Sequence, residues 1–406
     1  MPTRRRFVMN SAATAATALS AIGANDRIRF AIIGAGTRGS YIGGVFASFA
    51  DAECVAVCDV YKPTREQVAA KLPGKPEAVN DYRRVLDRKD VDAVLIATPD
   101  HWHGPMVIEA SEAGKDSYCE KPVTNSIETG LKMIEAARKH KRVVQVGLQQ
   151  RSWRHFQENA ERVQKGMFGT IYQAQCVYIG SYLRPPEEGG DPPPDLDWNL
   201  FQGPAERRRY TRSRQRLWRS FYDYSGGTLL DWGVHLTHIA HWYLSARAPL
   251  TASGSGQYVR YPCPERDQLP DSVACSWVYD RFVMTYTNSL MVNPHFDAQG
   301  NYFIGTMGSL QINRTGYRYR PNPPRVAPGQ TPPPPPFEAV DESFRYVGGP
   351  SDQAHVRNFL DCVKSRQRPA VDIEDGFYAT LPCLMGVLAI RYGKTYRWTG
   401  TEAKAV

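Results

Sequence analysis

Short, continuous apolar runs set the pattern of the first third of the chain. Ile28 to Ile33 reads as a buried strand, and Arg38 to Ala50 as the helix after it. Cys54 to Cys58 and Ala93 to Ala97 are further apolar strands, and Val143 to Val146 is another. Helical stretches surround residues 103–113 and 126–140. Apolar strands with no polar alternation, separated by helices, predict a parallel sheet covered on both faces.

The pattern changes after residue ~150. One helix is expected over 153–165. Runs rich in Tyr, Val, Thr and Ser follow at 170–180, 251–260, 272–279 and 282–290, with shorter ones near 302–306 and 309–313. These predict a large, mostly antiparallel sheet. Two proline-rich segments, Pro185 to Pro194 and Pro321 to Pro336, interrupt it as extended loops. Two amphipathic helices, about 352–364 and 376–392, end the pattern. No internal repeat is visible. At about 100–200 residues per domain, 406 residues suggest two domains. The expected division is a leader at 1–24, a dinucleotide-binding domain at 25–148 and an α/β domain at 149–406. The last helices of the second domain are expected to pack back on the first.

Composition adds constraints. Apolar content of 42% and charged content of 22% are those of a globular protein. The net charge of +9 is local. Part lies in Arg4, Arg5 and Arg6, and part in the run Arg207, Arg208, Arg209, Arg212, Arg214, Arg216 and Arg219. No nucleic-acid module accompanies it, so no nucleic-acid partner is expected. The arginine run reads first as a solvated or subunit-contacting loop, and second as a site for an anionic substrate. The eight cysteines include no C-x-x-C pair. Cys54 and Cys58 share a strand, about 13 Å apart, too far to bridge. No disulfide framework is indicated.

Thr3-Arg4-Arg5-Arg6-Phe7-Val8-Met9 is a twin-arginine pattern, followed by an Ala/Thr-rich run to Gly23. It suits a cleaved export signal, with cleavage between Ala18 and Ala24, and predicts a periplasmic or extracellular protein. No other segment is read as spanning a membrane.

Gly34-Ala35-Gly36-Thr37-Arg38-Gly39 is G-x-G-x-x-G placed between a strand and a helix, the context that gives the motif weight. The glycines permit a tight turn and bring backbone N–H groups to a pyrophosphate. Asp59 ends the second strand, where a carboxylate holds ribose hydroxyls and repels a 2′-phosphate. NAD is therefore expected over NADP, although Arg38 is placed to meet phosphate.

Three further segments stand out. They are Ala97-Thr98-Pro99-Asp100-His101-Trp102-His103, Cys119-Glu120-Lys121-Pro122, and Gly226-Gly227-Thr228-Leu229-Leu230-Asp231-Trp232-Gly233-Val234-His235. With the glycine fingerprint, Leu196-Asp197-Trp198, Gly305-Thr306-Met307-Gly308 and Asp372-Ile373-Glu374-Asp375-Gly376, the chain resembles the Gfo/Idh/MocA oxidoreductases. That family is named for glucose–fructose oxidoreductase and inositol dehydrogenase. The resemblance runs from about Ile28 to Arg397. It implies an α/β fold: a Rossmann domain followed by an α/β domain with a large open, mostly antiparallel sheet. It also implies a homo-oligomer, dimer or tetramer, and a sugar-like substrate between sheet and nicotinamide.

The resemblance assigns Lys121 to the reacting hydroxyl and Asp231 with His235 to the D-x-x-x-H pair. Chemistry agrees. Oxidising an alcohol needs a base for the hydroxyl proton, and histidine suits that near neutral pH. Residues i and i+4 share a helix face, so Asp231 is expected beside His235. Thr98, Pro99, Asp100, His103, Glu120, Lys121 and Gln149 join the glycine loop and Asp59 as expected cofactor contacts. Arg151, Trp218 and Trp232 are expected at the substrate, with Trp198 a further stacking candidate. Asp231, His235 and His238 also have metal-ligand spacing, but the implied chemistry needs no metal.

The reading is an NAD-dependent oxidoreductase acting on a sugar, glycoside or cyclitol hydroxyl. The alternatives are a redox-neutral NAD-dependent glycosidase and a non-catalytic sugar sensor. Export adds an expectation: with little free NAD outside the cytoplasm, the cofactor stays bound and is recycled.

Overall fold

The computed structural model describes residues 27–180, 189–260, 267–290, 299–323, 326–327, 329–344 and 350–406. The twin-arginine segment, Cys263 and part of the first proline-rich loop lie outside the described residues.

The apolar runs form a six-stranded sheet of β1 (Ile28–Ile33), β2 (Ala52–Cys58), β3 (Glu77–Val79), β4 (Ala93–Ile96), β5 (Asp116–Cys119) and β6 (Val144–Val146), in spatial order β3-β2-β1-β4-β5-β6. Every pairing in it is parallel. The order reverses between β1 and β4, and an open α/β sheet binds its ligand at such a switch point. β4 and β5 are buried at every position because helices cover both faces. Those helices are α1 (Thr37–Ala47), α2 (Lys62–Lys71), α3 (Tyr82–Leu86), α4 (Asp100–Glu112) and α5 (Ile127–Lys139).

β3, α2 and α3 have no counterpart in the predicted pattern. β3 is three residues long with two exposed, and α2 buries only Ala69. An element that contributes so little to the core leaves no apolar periodicity to read. The strand ending at Cys119 is therefore the fifth of the sheet in chain order.

A 3₁₀ turn, Gln149–Ser152, leads into α6 (Arg154–Gln164) and β7 (Ile171–Ile179). Short helices α7 (Trp198–Gln202) and α8 (Arg212–Arg216) precede α9 (Val234–Leu244). The second sheet adds β8 (Thr251–Gln257), β9 (Ser272–Val278), β10 (Val283–Ser289), β11 (Gly300–Gly305), β12 (Gly308–Asn313), β13 (Gly316–Pro321) and β14 (Val340–Ser343). After α10 (Pro350–Ser365) and α11 (Ile373–Tyr392), the hairpin β15 (Tyr396–Trp398) and β16 (Ala403–Ala405) completes it.

Ten strands stand in the order β14-β13-β12-β11-β7-β10-β9-β8-β15-β16, antiparallel except where β10 meets β7. β12 alternates buried and partly buried positions, as expected of a sheet with one face on a core. The prediction of this sheet stopped short of β13 to β16, and the proline-rich loop begins after β13 rather than within it.

The last two helices join the sheets. Val356, Phe359 and Leu360 of α10 share a core with Phe30 of the first sheet and Phe46 of α1. Phe377, Leu381 and Met385 of α11 lie in the core shared with the second. With 20 residues and mean hydropathy 1.3, α11 is long and apolar enough to cross a membrane. That corrects the reading that no segment beyond the leader meets this requirement. Of its most apolar stretch, 67% is buried inside the protein.

Candidate active site

The carboxyl ends of β1, β2, β4 and β5 open onto one cleft of about 780 Å³. Its far wall comes from a 3₁₀ turn (Trp218–Ser220), a π-helical turn (Leu229–Gly233) that runs into α9, and Arg314 at the β12–β13 turn. Every predicted cofactor contact lines this cleft except Gly39, which lies beneath the glycine loop.

The glycine loop divides into packing and vacancy. Gly34 has φ +88°, and a Cβ there would stand 2.7 Å from the Ala97 carbonyl. A Cβ on Gly39 would stand 1.8 Å from the Gly34 oxygen. Both glycines are demanded by the protein's own packing. Gly36 is not, because nothing lies within 4 Å of its Cβ position. α1 begins beside it at Thr37, with no side-chain cap and no acidic residue in its first turn. Uncapped N–H groups and the positive helix end there suit a pyrophosphate. Gly36→Val is expected to fold with an unchanged melting temperature and lose at least about 100-fold in NAD affinity, about 2.7 kcal/mol. Calorimetric titration with NAD checks this.

Asp59 accepts hydrogen bonds from Ala35 N (2.8 Å) and Tyr61 N (2.9 Å), so it also ties the glycine loop to β2. Burial pushes its carboxyl pKa up, against those bonds. Gln149 offers a buried Oε1 with no hydrogen-bond partner. Arg38 departs from expectation. Its guanidinium is committed to Glu120 at 2.6 Å and Asp352 at 3.5 Å, clamping α10 to the loop rather than standing free for phosphate.

His103 braces the cleft floor. One ring nitrogen meets the Pro122 carbonyl at 2.6 Å, and the other meets Thr98 O at 2.9 Å. It thus ties the Thr98 loop to the Lys121 loop, while burial lowers its pKa. Asp100 accepts from Ser225 Oγ at 2.6 Å, and burial raises its pKa to about 7. A carboxyl whose folded pKa lies above its unfolded value destabilises the fold as pH rises from about 4 towards 7. Asp100→Asn is therefore expected to melt several degrees above the native protein at pH 8 and much closer to it at pH 4.5. Thermal scans at both pH values check this.

Lys121 donates to the Asp231 carboxylate and, at 2.9 Å, to the Asp231 main-chain oxygen. The same carboxylate oxygen takes Arg219 Nε at 3.2 Å. Asp231 lies near enough to His235 to act on its charge, while His235 Nδ1 is buried and makes no hydrogen bond. Asp231 sits on a π-helical turn, Leu229–Gly233, that runs into the helix carrying His235. Burial drives the His235 pKa well below its ordinary value, helped by Arg314 and Lys121 and opposed by Asp231. The ring is neutral at physiological pH.

Two substrate candidates fall elsewhere. Arg151 lies over the Trp242 ring at 4.2 Å and does not line the cleft. Trp198 stacks on Phe201 at 4.9 Å and donates to Arg208 O, in a separate core. Trp218 and Trp232 do line it, with Arg219 over the first at 4.1 Å and Arg314 over the second at 4.8 Å. Sequence reasoning missed Arg314 as a cleft residue and placed Arg219 there only through the second reading of the arginine run. Arg219 belongs to the Trp218-Arg219-Ser220 run beside the site. Arg314 stands in a turn that nothing local ties to it.

Arg208 and Arg214 are held by Asp223, and Arg214 also by Asp267. Arg216 and Arg219 reach the cleft, so the arginine run is not simply a solvated loop. Among the described residues, no group of three His, Cys, Asp or Glu side chains is placed to hold a metal ion.

The class follows from fold and loop. Residues 28–148 match the model of the oxidoreductase family with an NAD-binding Rossmann fold. Over 370 residues, 89% of its length, the chain is 27% identical to a scyllo-inositol 2-dehydrogenase (NAD(+)) of Bacillus subtilis, covering 93% of that protein. A glycosyl hydrolase family 109 protein of a Shewanella species is 27% identical over 162 residues, 38% of the chain and 35% of that protein. Among solved structures, an aldose-aldose oxidoreductase from Caulobacter crescentus superposes with TM-score 0.67 at 18% identity. That match covers 92% of this chain and all of the other, and shows a shared fold.

Proposed function

We propose that this chain is an NAD-dependent oxidoreductase that exchanges hydride with a ring hydroxyl of a sugar, glycoside or cyclitol. The observation that carries this reading is the meeting of Lys121, Asp231 and His235 in one cleft with the glycine loop. Bound NAD would supply the hydride acceptor. Gly36, the start of α1, Asp59 and Gln149 would hold it.

The chain's own residues do the rest. Lys121, steadied by Asp231, donates to the substrate hydroxyl and stabilises the charge that develops as its proton leaves. His235, kept neutral by burial, is the proton acceptor. His103 fixes the loop from which Lys121 projects. The similarity to a scyllo-inositol dehydrogenase along most of the chain supports a polyol substrate. The similarity to a family 109 hydrolase covers 35% of that protein and lends less weight.

Export by the twin-arginine segment forms part of the proposal, with a periplasmic or extracellular location and a nucleotide retained between turnovers. The test is to load purified protein with NAD and titrate a panel of hexoses, pentoses and inositols while following reduced-nicotinamide fluorescence. At least one polyol is expected to raise it. A silent panel, with release of chromophore from nitrophenyl glycosides, would favour the hydrolase.

A further inference from the structure

At the β2–β3 end of the first sheet, the cleft is bounded by the second domain. Leu196, Leu200 and Phe201 line it together with Asp59, Tyr61 and Asn80, which follow β2 and β3. The two sides are joined through main chain. Lys62 N donates to Asp195 O at 3.0 Å, and Asp197 N donates to Val60 O at 3.0 Å. Tyr61 and Leu196 thereby form an antiparallel bridge just beyond Asp59.

Two more ties come from the start of α4. Trp102 Nε1 donates to Leu200 O at 3.0 Å, and a His101 ring nitrogen meets Phe201 O at 2.9 Å. The segment also carries a core of its own. Leu196, Trp198, Phe201 and Tyr224 are buried together, with Val60 and Tyr61 packed against them. Asp197 caps α7 by accepting from Leu200 N at 2.8 Å. To move this segment, the main-chain bonds and buried rings must be given up together, so it is a fixed wall.

In a dinucleotide-binding sheet, the carboxylate that ends the second strand marks the ribose of the adenosine half. Here that carboxylate is Asp59, and the wall closes directly beside it. Lys121 follows β5, towards the other end of the sheet. The reacting groups therefore do not explain the wall.

We propose that residues 195–201 are a strap that shuts the adenosine half of NAD into the cleft, so that the nucleotide leaves only when the strap parts from residues 60–62. This rests on the NAD-binding reading above and gives retention of the nucleotide a physical cause. It does not depend on the export segment.

The test follows exchange of the nucleotide rather than turnover. Protein loaded with NAD radiolabelled in the adenine ring is chased with excess unlabelled NAD, and the label that stays on the protein is measured through time by gel filtration. Asp197→Ala removes the α7 cap and the acceptor for Asn80 Nδ2, and is expected to release label about tenfold faster than the native protein. A second variant acts in the opposite sense. Tyr61→Cys combined with Leu196→Cys sets two thiols across the bridge, where Cα atoms of such a pair lie about 4.5 Å apart, within reach of a disulfide. Oxidised, this protein is expected to hold label at least about tenfold longer than the same protein after reduction. The comparison within one protein decides the matter even where Asp197→Ala fails to fold. Equal release from the oxidised and reduced forms overturns the strap, and a polyol that still raises nicotinamide fluorescence then leaves the oxidoreductase standing. A native protein that takes up no NAD overturns both.

Discussion

Replacing Lys121 by methionine is expected to lower kcat/KM for alcohol oxidation by about 10³–10⁴, nearly all of it in kcat. Methionine keeps the length and apolar stem of the side chain but removes the donors that meet the Asp231 carboxylate and main-chain oxygen. Asp231 keeps Arg219, so the turn that carries it remains paired on one side. What disappears is the ammonium that meets Asp231 and faces the cleft. NAD affinity, measured by titration, should be unchanged, because the glycine loop and Asp59 are untouched. Turnover within tenfold of the native protein would remove Lys121 from the reacting hydroxyl.

Replacing His235 by asparagine is expected to cost about 10²–10⁴ in kcat. The pH profile makes this more than a deletion. Burial lowers the His235 pKa well below its ordinary value of about 6.5. The ring therefore stays unprotonated as pH falls through that value, and the acidic limb of kcat/KM should lie below it. In His235→Asn that limb should vanish. An acidic limb that persists in the variant would assign the titrating base to another group.

Why some of this was legible in the sequence, and some not, is a matter of range. The glycine loop follows from local demands: Gly34 and Gly39 are required by contacts within a few residues and one neighbouring strand. β1, β2, β4 and β6 announce themselves because burial forces mostly apolar runs, whereas β5, Asp-Ser-Tyr-Cys, carries no such run. Lys121, Asp231 and His235 were found through motifs, and the structure brings them into one cleft.

What escaped depended on distant parts of the chain. Arg38 looked free for phosphate because Asp352, more than 300 residues away, is invisible locally. Arg151 looked like a cleft residue until Trp242 supplied a ring to cover it. Arg314 entered the cleft only because the β12–β13 turn folds over Trp232.

The most direct test of the central claim follows the hydrogen itself. A polyol that raises nicotinamide fluorescence is prepared with deuterium on the carbon bearing the reacting hydroxyl, and the nucleotide is recovered from acid-quenched protein for mass spectrometry. The account predicts one deuterium on the nicotinamide ring, delivered to a single face, and no such label with Lys121→Met in the same time. Deuterium found only in water, with an unlabelled nucleotide, would contradict it.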